Sequence, residues 1–90
     1  MTPEEGWLDG LKARFAARLI LERAAFLDLQ VRPDRNELID RAHRLAGIAG
    51  MMGAPAVGEA ASRLEEAALE DRDCQAELAW LIAAIDAAMP

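Results

Sequence analysis

Apolar residues recur at helical spacing along most of the chain. In the first third they are separated by three, four or seven positions, as one buried helix face requires: Leu8, Leu11, Phe15, Leu19 and Phe26. Thr2, Pro3 and Glu5 are typical of a helix start, with threonine as N-cap, proline at the first helical position and glutamate completing a capping box. The pattern therefore predicts a first helix that runs to about Leu29.

A short connector and a second helix follow. The residue before Pro33 is pushed out of helical geometry, so residues 30–33 form the connector. Pro33, Asp34 and Glu37 then provide a second start signal. At about 100° per residue, one stripe of this helix is apolar: Leu38, Ala42, Leu45, Ala49 and Met52. We expect the second helix to end near Met52.

Two more helices complete the pattern. Gly53-Ala54-Pro55 interrupts the second helix, and Pro55 fits the first position of a third. The stripe of the third helix consists of Val57, Ala60 or Ala61, Leu64 and Ala68. After a turn at residues 70–73, the inward positions of the last helix are Cys74, Leu78, Leu81, Ile82, Ile85 and Met89. Because short connections favour antiparallel neighbours, we expect an all-α, antiparallel up-down-up-down four-helix bundle, one domain over residues 1–90.

Charge and length exclude several classes of function. Sixteen acidic against ten basic residues give a net charge of −6, which argues against a nucleic-acid partner. The N-terminus lacks the basic and apolar regions of a signal peptide. The longest apolar run, Leu78 to Ile85, falls far short of the roughly 20 residues that span a bilayer. We therefore expect a cytoplasmic protein with no membrane segment.

Other polar and reactive residues suggest no chemistry of their own. Cys74 is the only cysteine, so no internal disulfide is possible, and its core-like position predicts a small buried hydrophobe. One histidine and one cysteine make a zinc site within the chain improbable, and we expect no metal or cofactor. The acidic pairs Glu65-Glu66 and Glu70-Asp71 are interpreted as solvated helix surface.

His43 is the candidate for chemistry. It is the only histidine, and it points roughly 135° away from the centre of the buried stripe of the second helix. Gly47 and Gly50 lie on the same face, although each helix-interior glycine costs about 0.8–1 kcal/mol relative to alanine. A side chain at 47 would lie over the imidazole ring, so glycine keeps the ring accessible. Geometry alone leaves two alternatives open: an ordinary polar surface residue, and glycines that permit close helix packing.

The sequence around His43 resembles a known family. The run His43-Arg44-Leu45-Ala46-Gly47, the break Met52-Gly53-Ala54 and the following helix around residues 60–65 are similar to the histidine-containing phosphotransfer (HPt) domain. The resemblance in motif covers about a third of the chain, and the resemblance in helix layout covers nearly all of it. The resemblance implies that His43 carries a phosphoryl group.

The chain departs from the family pattern at Ala46. The family's usual residue there, three positions after the histidine, is a lysine that complements the phosphoryl charge of roughly −1.5 to −2. Arg44 is near in sequence but points roughly 100° away from His43, so it does not replace the lysine geometrically.

The surroundings of His43 suggest a docking surface. Ile39, Met51, Ala46 and the two glycines form a flat, partly apolar patch of the kind that suits a transient partner. The alternative for Ile39 and Met51 is packing under the first helix. Asp40 lies roughly 60° from His43 and either orients its ring or is a solvated surface charge.

The resemblance implies a phosphorelay intermediate. His43 would accept a phosphoryl group from the phospho-aspartate of a response-regulator receiver domain and pass it to a second receiver. The partner receiver domain would supply the Mg²⁺. A hybrid histidine kinase is a further expected partner, and the chain has no autonomous kinase activity. The alternative is a degenerate bundle that binds receivers or a kinase without relaying phosphate. A dimerising histidine kinase core is a third alternative, but it would need an ATP domain and longer helices. The oligomeric state that we expect is a monomer.

Overall fold

In a computed structural model of the chain, residues 3–89 are described, and they form four helices. These are α1 (Pro3–Val31), α2 (Arg35–Met51), α3 (Pro55–Leu69) and α4 (Gln75–Ala88). The all-α fold class and the number of helices are confirmed. The predicted N-cap, Thr2, lies outside the described residues. The connector between the first two helices is shorter than expected, because α1 continues to Val31.

Local signals account for the helix boundaries. The Asp34 side chain caps α2 by accepting a hydrogen bond from the Glu37 backbone N–H at 3.1 Å. Pro55 is the first residue of α3, as predicted. Between α2 and α3, Gly53 has φ +78°, a left-handed conformation that glycine adopts without a steric penalty. The Ala54 N–H donates to the Ala49 carbonyl at 3.0 Å, which closes the α2–α3 turn.

Successive helices run in opposite directions. Leu29 near the end of α1, Leu38 in α2, Ala68 at the end of α3 and Leu78 in α4 line one cavity. In addition, the Arg35 guanidinium at the start of α2 donates to the Ala68 carbonyl at 2.8 Å. The ends of α1 and α3 and the starts of α2 and α4 therefore lie at the same end of the bundle, as in an antiparallel arrangement.

The hydrophobic core follows the predicted stripes of the four helices. Its buried members include Phe26, Leu45, Leu64, Leu81 and Ile85, and both Ala60 and Ala61 are buried. Burial on this scale contributes about 25 cal/mol per Å² of apolar surface removed from water. Four expected core residues are only half-buried: Leu11 in α1, Met52 at the end of α2, and Cys74 and Met89 at the two ends of α4.

The prediction that Leu8 is buried was wrong. Its side chain is 41% exposed, and Trp7 beside it is 70% exposed. With 29 residues, α1 is roughly 43 Å long, whereas the 17 residues of α2 span roughly 26 Å. The turn that carries Trp7 and Leu8 extends beyond the shorter helices, which leaves these two side chains exposed. Among the described helices, none is both long and apolar enough to cross a bilayer.

Candidate functional site

His43 lies near the middle of α2, on the face turned away from the core. Its side chain is 73% exposed. The preceding residue, Ala42, and the Leu45 that follows two positions later are fully buried and hold this segment of α2 against the bundle. The structure thus agrees with the exposure expected from the helix geometry.

The ring of His43 has one close polar partner, from the neighbouring helix. Its Nδ1 lies 2.8 Å from Oε2 of Glu65 in α3. An ionised carboxylate can only accept hydrogen bonds, so Nδ1 is the nitrogen that donates. In the neutral ring the other nitrogen, Nε2, then has no proton and keeps a free lone pair. The pair therefore selects the tautomer whose outer nitrogen is nucleophilic.

The carboxylate that contacts the His43 ring belongs to Glu65, and not to Asp40 as the sequence suggested. The Asp40 carboxylate is ion-paired with Arg44, one turn further along α2. The interpretation of Glu65 as solvated surface was wrong, since its side chain is only 21% exposed and contacts His43. A signal was available: His43 and Glu65 are equally far from Ala54, at the centre of the α2–α3 turn. In a helical hairpin, residues equidistant from the turn lie at the same level.

The glycines near His43 are not packing positions. A Cβ atom built at Gly47 or at Gly50 meets no atom within 4 Å. This excludes close helix packing as their purpose, but it also corrects the expectation that a side chain carbon at 47 would lie over the His43 ring. The bare backbone leaves the outer surface of α2 flat beside the imidazole.

The glycine that faces a neighbouring helix is Gly58 of α3. A Cβ atom there would lie 3.5 Å from the Ala46 carbonyl oxygen and 3.6 Å from the Gly50 nitrogen. These are ordinary contact distances, so a methyl group fits between α2 and α3 but a larger side chain does not. Gly58 therefore lets α3 approach α2 closely just below the site, and sequence reasoning missed it.

A shallow surface depression adjoins His43. It is lined by Arg18, His43, Arg44, Gly47, Ile48 and Met51. Met51 is 81% exposed, in keeping with its predicted place on a docking surface. Ile39 and Ala46 are half-buried and pack against the core, so for Ile39 the packing alternative describes the structure better.

Two members of the depression were not indicated by the sequence, Ile48 of α2 and Arg18 of α1, and of these Arg18 carries a charge. Its Nε is buried without a hydrogen-bond partner, 3.8 Å from Oε1 of Glu22. Glu22 is itself buried, with 8% exposure, and its other oxygen lies 3.4 Å from Nη1 of Arg41. Burial opposes the charged form of Arg41, but its hydrogen bonds and charge interactions with Glu37 and Glu22 outweigh this and raise its pKa. The buried Glu22 therefore anchors Arg18 at the edge of the depression.

The depression and its surroundings bring no metal ligands together. Within residues 3–89, no group of three or more His, Cys, Asp or Glu side chains is arranged to hold a metal ion.

Comparison with known families agrees with the motif around His43. The family model described as the Hpt domain matches residues 14–89, nearly the whole chain. Neither the curated proteins nor the solved structures gave a significant match. The matched segment contains all of α2, α3 and α4 together with the part of α1 that packs on them. An exposed histidine on such a bundle is what histidine phosphotransfer requires, and the chain belongs to the Hpt domain family.

Proposed function

We propose that the protein is a phosphorelay intermediate whose phosphoryl acceptor is His43. The observation that carries the proposal is the hydrogen bond between Nδ1 of His43 and the Glu65 carboxylate on an otherwise open surface. Family membership supports a role in histidine phosphotransfer. The hydrogen bond supports Nε2 as the nitrogen that reacts and Glu65 as the group that prepares it.

The proposed reaction is a transfer between two proteins. The lone pair of His43 Nε2 attacks the phosphorus of a receiver's aspartyl phosphate, so that a P–N bond forms while the P–O bond to the aspartate breaks. The aspartate leaves as a carboxylate, and no proton has to be removed from Nε2. The ring becomes positively charged as the bond forms, and Glu65 stabilises that charge through the proton on Nδ1. In the second transfer, another receiver's aspartate carboxylate attacks phosphorus, so that a P–O bond forms while the P–N bond breaks and the imidazole leaves as the neutral ring.

Arg18 is proposed to supply the cation that position 46 lacks. Arg44 is ion-paired with Asp40, whereas Arg18 lines the depression from the neighbouring helix α1. A cation beside a phosphoryl group forms charge-assisted hydrogen bonds, which are about twice as strong as neutral ones. The charge is therefore provided by α1 instead of by the next turn of α2.

The partners we propose are receiver domains of response regulators and a hybrid histidine kinase. The flat surface formed by Gly47, Gly50 and Met51 admits a receiver close to His43. The receiver would bring the Mg²⁺ and the phospho-aspartate, so the chain needs no cofactor and has no kinase activity of its own. A net charge of −6 disfavours nucleic acid as a partner. A cytoplasmic location is part of the same proposal.

A second candidate function is favoured by one observation. Ala46 leaves the site without its expected lysine, so the bundle could bind a receiver or a kinase without relaying phosphate. The two functions differ in whether His43 becomes covalently labelled, since both predict binding.

The deciding experiment is incubation with ³²P-labelled phospho-receivers from the same genome. We expect acid-labile label on the wild-type chain and none on His43→Gln, with both proteins equally folded by circular dichroism. Binding of unphosphorylated receivers is measured in parallel. Binding without label would support the second function, and label that persists in His43→Gln would overturn the assignment of His43.

A further inference from the structure

The outer face of α1 carries a second apolar stripe, distinct from the one that faces the core. Its members are spaced alternately by four and three positions: Ala13, Ala17, Ile20, Ala24, Leu27 and Val31. All six are exposed, Ile20 at 61% and Val31 at 80%. We call this stripe the outer seam. It lies on the opposite side of α1 from Phe15, Leu19 and Phe26.

The spacing of the outer seam indicates a helical partner. Alternation of three and four is the heptad pattern of helices that pack side by side with their seams in contact. Here it persists over roughly 27 Å of helix. Within the described chain, no other helix covers it. Contiguous exposed apolar surface of this kind marks an interaction site.

We propose that the outer seam binds the outer seam of a second copy of this chain, with the two α1 helices antiparallel. Three pairs then repeat by two-fold symmetry: Ala13 with Val31 of the partner subunit, Ala17 with the partner's Leu27, and Ile20 with the partner's Ala24. Each pair sets a small residue against a large one, so the layers have equal width. A parallel arrangement would set alanine against alanine and isoleucine against isoleucine. The antiparallel contact also uses the same surface on both copies, so the assembly ends at two subunits, as in most homodimers.

The charges beside the seam fit the same register. Arg14 and Asp28 flank the seam on one side, and the antiparallel arrangement sets Arg14 next to Asp28 of the partner subunit, twice over. Asp28 already accepts hydrogen bonds from Arg32 of its own chain at 2.9 Å, but a carboxylate has about four acceptor positions. Between these two ion pairs, the exposed Leu21 faces the partner's Leu21 across the two-fold axis.

The opposite flank is compatible with the dimer. There, Arg23 approaches the partner's Arg23, but each guanidinium is paired with Asp86 of its own chain, which offsets the repulsion. The dimer departs from the monomer expected from the sequence. The sequence pattern was interpreted as one apolar face on α1, whereas the structure leaves a second apolar face exposed.

Sedimentation velocity on the full chain tests the dimer. We expect a species of twice the chain's 9.8 kDa as concentration rises from about 1 μM to 1 mM. Ile20→Glu inserts a charge into the middle of the seam and should raise the dissociation constant at least about tenfold. The matched control is Leu69→Glu, equally exposed at 64% but on α3, which should leave the mass unchanged.

Cross-linking tests the register in a Cys74→Ser background. A short bismaleimide should join Leu21→Cys dimers efficiently, because this position lies on the two-fold axis. Val31→Cys is the control, since the two copies of residue 31 would be roughly 27 Å apart in the antiparallel register. Cross-linking of Val31→Cys but not of Leu21→Cys would overturn the antiparallel register. A monomer at every concentration would overturn the dimer itself. If the wild type is a monomer and Ile20→Glu nevertheless slows phosphotransfer, the seam binds a receiver and the dimer is overturned.

Discussion

Nδ1 of His43 lies 2.8 Å from the Glu65 carboxylate, and the two residues come from helices that run in opposite directions on either side of Ala54. The pairing follows from the hairpin: each of them is eleven positions from Ala54, so they reach the same level of the bundle. A single short connection thus fixes the orientation of the imidazole.

Replacing Glu65 should slow phosphotransfer without unfolding the bundle. Glu65→Ala removes the acceptor of the Nδ1 proton, and we expect a loss of about tenfold or more in rate, equivalent to about 1.4 kcal/mol. Glu65→Gln keeps an acceptor but not the charge, so its loss should be smaller. Single-turnover transfer from a labelled receiver measures both. Glu66→Gln, exposed and next in sequence, is the control and should transfer at the wild-type rate. Wild-type transfer by Glu65→Ala would contradict the role of this pair.

Much of this fold is readable from the sequence because its signals are local. Asp34 and Pro55 mark helix starts whichever way the helices pack, and the stripe containing Ala42 and Leu45 gives the exposure of His43 by periodicity alone. Glu65 is different, because its role depends on how α3 aligns with α2. That alignment follows from the turn, but only once the turn's centre is known.

The contributions of α1 were harder to foresee. Its alignment with α2 is not set by a tight hairpin, so nothing local indicates that Arg18 reaches the surface beside His43. The exposure of Leu8 likewise depends on the lengths of the other three helices, not on its own neighbours. Periodicity identifies apolar positions, but it does not tell which of two apolar faces is covered.

Arg18→Gln should slow transfer, if this guanidinium complements the phosphoryl charge. We expect a rate reduction of about tenfold, typical for removing a charge-assisted hydrogen bond. Because Arg18 also lies beside the buried Glu22, the thermal unfolding of Arg18→Gln has to be measured together with its transfer rate. The exposed Lys12→Gln on the same helix is the control. An unchanged rate in a folded Arg18→Gln protein would exclude the role.

Ala46→Lys should speed transfer or lengthen the lifetime of phospho-His43. Ala46 is half-buried, so the lysine stem can lie along the apolar surface while its ammonium reaches solvent near the phosphoryl group. Ala46→Met adds similar bulk without charge and separates the two effects. In Arg18→Gln, the added lysine should restore part of the lost rate. If lysine gives no gain in either background, this surface operates without a cation.

Substitutions at Gly58 should connect helix packing to the site. Alanine fits there at ordinary contact distances, so Gly58→Ala should leave the stability equal or slightly raised. Gly58→Leu overfills the space between α2 and α3 and should destabilise the protein by about 1–3 kcal/mol in chemical denaturation. By forcing α3 away, leucine should also weaken the His43–Glu65 contact and slow transfer. A leucine variant as stable and as active as the wild type would show that the two helices do not need this close approach.

Gly47→Ala tests whether the flat surface beside His43 serves function. Alanine is the better helix former, and a methyl at this position meets no atom within 4 Å, so the melting temperature should rise with a gain of up to about 1 kcal/mol. The methyl would stand on the surface that a receiver approaches, and we therefore expect slower transfer from the labelled receiver. Gly10→Ala is the matched control, because it also enters open space on a helix but lies on α1, away from α2. It should stabilise without slowing transfer. If Gly47→Ala transfers at the wild-type rate, the receiver does not need the bare backbone, and glycine at this position is retained for another reason.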